Sequence, residues 1–135
     1  MRVVLDASAI AKWFLREEES EEMRKLLSGI VSGMLEAHVP SLAFVELANL
    51  LRYARGLTEE DVVKGVSAAM AIGLVKHEFE EVYDRAIRLA FEKKLTVYDA
   101  VYAALAEILD SYLITYDEQL LRVFPRAVRA GQLVR

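Results

Sequence analysis

Two aspartates stand directly behind short apolar runs, and each has a hydroxyl two residues away. They are Asp6-Ala7-Ser8 after Val3-Val4-Leu5, and Thr115-Tyr116-Asp117 after Leu113-Ile114. In extended backbone, residues i and i+2 project to one side, so each pair presents a carboxylate beside a hydroxyl. Taken singly, Asp6 and Asp117 also read as helix N-caps. Glu46 is harder to place on a surface. Leu42, Ala43, Asn49, Leu50 and Tyr53 surround it at helical spacing on a segment that is apolar nearly all round, which predicts a largely buried carboxylate. Such a group needs a cation, an arginine or a hydrogen-bond network, because an unpaired buried charge costs roughly several kcal/mol. Asp99 fits a capping box, Thr96-Val97-Tyr98-Asp99. The Tyr102, Ala103 and Ala106 that follow are apolar, so its side chain also points at packed surface.

The other acids gather in runs such as Glu17-Glu18-Glu19 and Glu59-Glu60-Asp61, which read as solvated faces. If the four singled out converge, each pair about 4 Å apart repels by roughly 4 kcal/mol at an effective dielectric near 20, so something positive must sit among them. The chain has no cysteine. Its two histidines, His38 and His77, are far apart in sequence and outside any H-x-x-x-H spacing. Thiolate zinc, iron–sulfur clusters and disulfides are therefore excluded, and oxygen must hold any metal. Hard oxygen ligands select Mg²⁺ or Mn²⁺, and a cation so held is a device for phosphodiester hydrolysis. Spacing supplies the residue types; it does not establish that they meet.

The elements that must position these acids alternate along the chain. Short apolar runs at Val3–Leu5, 36–40, 73–77 and 112–115 read as strands, with 127–135 as a further candidate. Between them lie helical stripes, among them Met23, Leu26, Leu27 and Ile30, a helix from Leu42 to about Arg55 closed by Gly56, and one opened by the Thr58-x-x-Asp61 box. A helix ending near Lys94 and another over 96–109 complete the pattern. Strands separated by helices require crossovers, so the expected fold is α/β: a three-layer α/β/α sandwich around a mostly parallel sheet of four to five strands. With 135 residues, 55% of them hydrophobic, and no linker or repeat, one domain over 1–135 is expected.

Composition restricts the partners. The net charge of −4 argues against bulk adhesion to nucleic acid or anionic membrane, leaving only local basic patches. No stretch suits a secretory leader or a membrane span, so a cytoplasmic protein without membrane attachment is expected. One Asn and two Gln beside many Glu, Arg and Lys match heat-adapted compositions. Candidate rim bases are Lys12, Arg52, Arg55, Lys93, Lys94, Arg122, Arg126 and Arg129, and Trp13, Tyr98, Tyr102 and Tyr116 are candidate base-stacking rings.

Four segments together resemble a known family: Val3-Val4-Leu5-Asp6-Ala7-Ser8, Pro40-Ser41-Leu42-x-x-Val45-Glu46-Leu47-x-Asn49, Tyr98-Asp99-Ala100-x-Tyr102-x-Ala104-Leu105-Ala106 and Leu113-Ile114-Thr115-x-Asp117-x-x-Leu120. In order and spacing they are similar to the acid motifs of PIN-domain ribonucleases, VapC-type toxins in particular. The resemblance implies Mg²⁺- or Mn²⁺-dependent endonucleolytic cleavage of RNA, a homodimer, and inhibition by a cognate VapB-type antitoxin. It also implies roles. Asp6, Asp99 and Asp117 match metal-site aspartates, Glu46 the acid that reaches the metal directly or through water, and Ser8 and Thr115 hydroxyls that bond within the acidic pocket.

Other readings are weaker. A haloacid-dehalogenase-type phosphatase needs a second acid where Ser8 stands, and a receiver-type domain needs an aspartate after the third strand, where Glu78 and Phe79 stand. The serious rival is a non-enzymatic PIN-like binding module, its acid cluster bridged by a structural cation or occupied by a partner's arginine.

Overall fold

A computed structural model describes residues 1–134. Its five strands are β1 (Arg2–Leu5), β2 (Glu36–Pro40), β3 (Val75–His77), β4 (Tyr112–Ile114) and β5 (Ala127–Val128). They form one sheet in the order β3-β2-β1-β4-β5, every pairing parallel. The helices are α1 (Ala7–Ile10), α2 (Ser20–Val31), α3 (Leu42–Arg52), α4 (Glu59–Ala71), α5 (Tyr83–Lys93), α6 (Val97–Ile108) and α7 (Glu118–Val123). The arrangement is the expected α/β sandwich, because each crossover between parallel strands must carry its helix over a sheet face.

Val3, Val4 and Leu5 are fully buried in the central strand, as an uninterrupted apolar run on a doubly covered sheet requires. The neighbouring α6 is sealed from Ala100 to Ala106; its four alanines in that stretch let it lie close to β1, β2 and β4. The chain runs outward from β1 through β2 to β3 on one side, then returns to place β4 and β5 on the other. The strand order therefore reverses at the β1–β4 junction, and the crevice beyond the carboxyl ends of those strands is where such a fold opens a ligand site.

Some boundaries differ from the sequence reading. Helix α3 stops at Arg52, one turn before Gly56. The helix expected to end near Lys94 does so as α5, preceded by a separate 3₁₀ turn at Phe79–Glu81 from which Val82, at φ −129° and ψ −4°, divides it. Strand β3 begins at Val75 rather than Gly73, and the doubtful carboxyl-terminal segment does supply a fifth strand.

Candidate active site

Asp6 and Asp117 leave the ends of β1 and β4 side by side. Both are N-caps: Asp6 accepts from the N–H of Ala9 and Asp117 from that of Leu120. Capping uses only part of each carboxylate, and two hydroxyls supply the rest of the arrangement at Asp6. Ser8 Oγ accepts from the Tyr116 N–H at 2.9 Å and donates to Asp6 Oδ1 at 2.5 Å. Thr115 Oγ accepts from the Asp117 N–H at 3.0 Å and donates to Asp6 Oδ2. A hydroxyl is needed at both places because only a group that accepts and donates can link a backbone N–H to a carboxylate. Asp6 is thereby held at both oxygens while the ends of β1 and β4 are tied together.

Asp99 reaches the same place from the first turn of α6. Thr96 accepts from the Asp99 N–H, but the reciprocal bond of a closed capping box does not form, whereas the identically spaced Thr58 and Asp61 close both halves. The Asp99 carboxylate, half-buried, is directed to the crevice instead. Glu46 projects from α3 and accepts from the Tyr102 hydroxyl at 2.5 Å. Burial and the Glu46 charge push the Tyr102 phenol far above its ordinary range, so it remains a donor.

Asp6, Glu46, Asp99 and Asp117, together with Ser8 and Asn49, line one hollow of about 630 Å³. Lysine, arginine and histidine are absent from its lining. None of the four acids belongs to an ion pair among the described residues. The electrostatic consequence is visible in two of them. Burial raises Asp6 from 3.8 to about 6 against the hydrogen bonds from Ser8, Thr115 and Ala9, with the Asp117 charge adding to the rise. Asp99 is raised by burial, then by the charges of Asp117 and Glu46. An arginine bound to Glu46, the alternative open in the sequence, is replaced by a neutral phenol.

Glu46 is mostly covered, as its neighbours led one to expect; what differs is the helix around it. Ala43, Leu47 and Leu51 of α3 are buried in the core and Leu42 and Phe44 pack partly against it, while Val45 and Tyr53 are 69% and 76% exposed. Among the described residues, no three carboxylate or imidazole groups form a ready-made ligand set for a metal ion. The donors nevertheless fit a hard divalent cation. They are four carboxylates, the Ser8 hydroxyl and the Asn49 amide around an uncompensated negative hollow, and Mg²⁺ is held with several waters between it and its ligands.

Other candidates fall elsewhere. Trp13 donates to the Met23 carbonyl and is a structural residue. Arg126 pairs with Asp110 and Arg129 with Glu118. Lys12 and Arg55 line an adjoining hollow, joined there by Arg16, which sequence reasoning missed because an exposed arginine beside three glutamates carries no positional signal. The histidines, far apart in sequence, are neighbours in space: His38 Nδ1 and His77 Nε2 are 2.8 Å apart across β2 and β3. Glu36 and Glu81 take the outer ring nitrogens at 2.6 and 3.0 Å, so the pair is a closed structural chain away from the acids.

A family model for the PIN domain matches residues 3–124. Ribonuclease VapC3 of Pyrobaculum aerophilum is 40% identical over 133 residues, covering 95% of this chain and 98% of that protein. A crystal structure from the same organism aligns with TM-score 0.70 at 23% identity, over 98% of this chain and 92% of the other. A toxin–antitoxin complex from Klebsiella pneumoniae contains a chain that aligns with TM-score 0.68 at 16% identity, over 95% and 97%.

Proposed function

Because the chain belongs to the PIN domain family, and within it to the VapC-type ribonucleases, we propose that it is an Mg²⁺- or Mn²⁺-dependent endoribonuclease, the toxin of a VapBC-type pair, built as a single domain over 1–135. The observation that carries this reading is the hollow itself. Four carboxylates from the β1–α1 junction, α3, α6 and the β4–α7 junction share it without a base among them. Asp6, Asp99, Asp117 and Glu46 would hold the cation, which when bound activates water and neutralises charge on the leaving oxygen.

The chain's own residues supply the rigidity that such chemistry needs. Ser8 and Thr115 fix both oxygens of Asp6, and Tyr102 fixes Glu46. Asp117 and Asp99 are held through the first turns of α7 and α6. Tyr98, which lines the hollow and is 62% exposed, would meet the RNA strand.

A cognate antitoxin and a homodimer belong to the same reading. Val45, Tyr53, Phe79, Tyr83 and Phe91 leave large apolar surfaces uncovered, the usual mark of a protein partner. Among the described residues no helix is long and apolar enough to cross a membrane.

The test is cleavage of single-stranded RNA by protein freed of antitoxin. Cutting is expected with Mg²⁺ or Mn²⁺, none in EDTA, and none by Asp99→Asn. A folded wild-type protein that leaves RNA intact with either ion would refute the enzyme and leave the binding-module reading in its place.

A further inference from the structure

The acid hollow is one half of a longer cleft. A second hollow, of about 620 Å³, shares Ser8, Asn49, Leu50 and Tyr116 with it, so the two are continuous. Their charges are opposite. The first is lined by four carboxylates and no base; the second is lined by Lys12, Arg16 and Arg55 against Glu17 alone.

Lys12 is the unusual member. Lysine is almost never buried unless paired, yet this side chain is only 8% exposed. An ammonium offers three donors. Its one polar partner among the described residues is Glu17 Oε1 at 3.5 Å, the outer limit of a hydrogen bond, and the Glu17 side chain is 45% exposed to screening solvent. What holds Nζ in place is the face of Tyr116, 4.2 Å from the ring centroid. Tyr116 is itself anchored, its hydroxyl donating to Glu19 at 2.6 Å and accepting from the Ala130 N–H at 3.1 Å. Glu19 in turn adopts a left-handed backbone conformation, φ 65°, and accepts from the Gly131 N–H. Three segments thus combine to present a nearly sealed cation in the wall of the cleft, with spare donors.

From this geometry we propose that the second hollow seats a backbone phosphate of the RNA adjacent to the scissile one, with the Lys12 ammonium as its charged ligand and Arg16 and Arg55 at the rim. The proposal rests on the ribonuclease reading for the identity of the strand. It assigns the anionic repeat of the substrate to the basic half of the cleft, and a cation to the acidic half. It also accounts for strand binding by a chain of net charge −4, since the attraction is local. A phosphate gives Lys12 the short charge-assisted bonds that Glu17 at 3.5 Å does not.

The experiment measures binding of a short fluorescent oligoribonucleotide by anisotropy, in EDTA so that no hydrolysis intervenes, over a range of salt concentrations. Lys12→Met keeps the apolar stem and removes the charge. It is expected to bind roughly ten-fold more weakly, with a slope of log affinity against log salt less steep by about 0.7, the value for one phosphate contact on a single strand. Lys12→Arg should retain the slope. With metal restored, Lys12→Met should raise KM while kcat at saturating RNA changes little. Folded Lys12→Met with wild-type affinity and slope would overturn the proposal. Should that variant not fold, the unmutated protein gives the answer by NMR. The Lys12 Cε–H signal, shifted by the Tyr116 ring, is expected to move on titration with the same oligoribonucleotide, and a signal unmoved at saturation would overturn the proposal equally. RNA cleavage by wild type with an indifferent Lys12 would sink this inference alone; Lys12-dependent binding without cleavage would sink the hydrolase reading alone.

Discussion

Asp6→Asn should make the metal-free protein more stable near neutral pH while abolishing cleavage. Asp6 is buried, only 5% exposed where it lines the hollow, and burial holds its carboxyl at about 6 instead of 3.8. The folded chain therefore binds this proton more tightly than the unfolded chain. The favourable contribution is complete below 3.8, declines as pH rises through about 6, and is absent above it. The interval corresponds to about 3 kcal/mol against the folded state at neutral pH. Asparagine removes the ionisation. Its amide oxygen still accepts from Ser8 and the Ala9 N–H, and its NH₂ donates to Thr115, at a loss of about 1 kcal/mol. The net gain is about 2 kcal/mol, or roughly 6–8 °C in Tm for a domain of this size. Thermal unfolding in EDTA would measure it. Asp6→Asn is expected to melt above wild type at about pH 7.5 and to lose that advantage near pH 4, where wild-type Asp6 is also neutral. Mg²⁺ at ten times its dissociation constant should return about 1.4 kcal/mol to wild type and less to the variant. A variant that melts below wild type at both pH values, unresponsive to the ion, would show that Asp6 carries no desolvation penalty.

Further outcomes follow from the same geometry. Asp117→Asn should lower the cleavage rate at saturating RNA by at least about 10²-fold with a near-wild-type circular dichroism spectrum, since an amide can still cap α7. Tyr102→Phe retains the ring volume but releases Glu46, so stability measured in urea should change by less than about 1.5 kcal/mol while cleavage slows roughly ten-fold. His77→Ala leaves the His38 Nδ1 atom without its partner beside β3, and equilibrium unfolding should show a loss of about 1–3 kcal/mol with the cleavage rate unchanged.

Residues near one another in the chain carried much of the fold. The apolar run Val3–Leu5, the stripe on α2 and the Thr58 box each formed where local spacing placed them, because strand alternation, helical periodicity and capping act within a few residues. The fifth strand was faint because two residues, Ala127 and Val128, form it, and they are strand only by pairing with Leu113 and Ile114. The face of α3 was misjudged for a related reason. A helix apolar all round does not reveal which side the sheet will cover, and Val45 and Tyr53 were left outside.

By itself, then, the sequence determined the chemical kind of the site: oxygen donors, no thiolate, and four acids at strand ends and helix starts in a recognisable order. Only tertiary structure decided which of them share a hollow, because β1 and β4 become neighbours across more than a hundred residues through parallel pairing. Tertiary structure likewise distinguished Asp99 from the identically spaced Asp61. It placed His38 against His77, and it set a buried Lys12 on the face of Tyr116. These are consequences of desolvation and charge at close range, which depend on distance through space and leave no imprint on spacing along the chain.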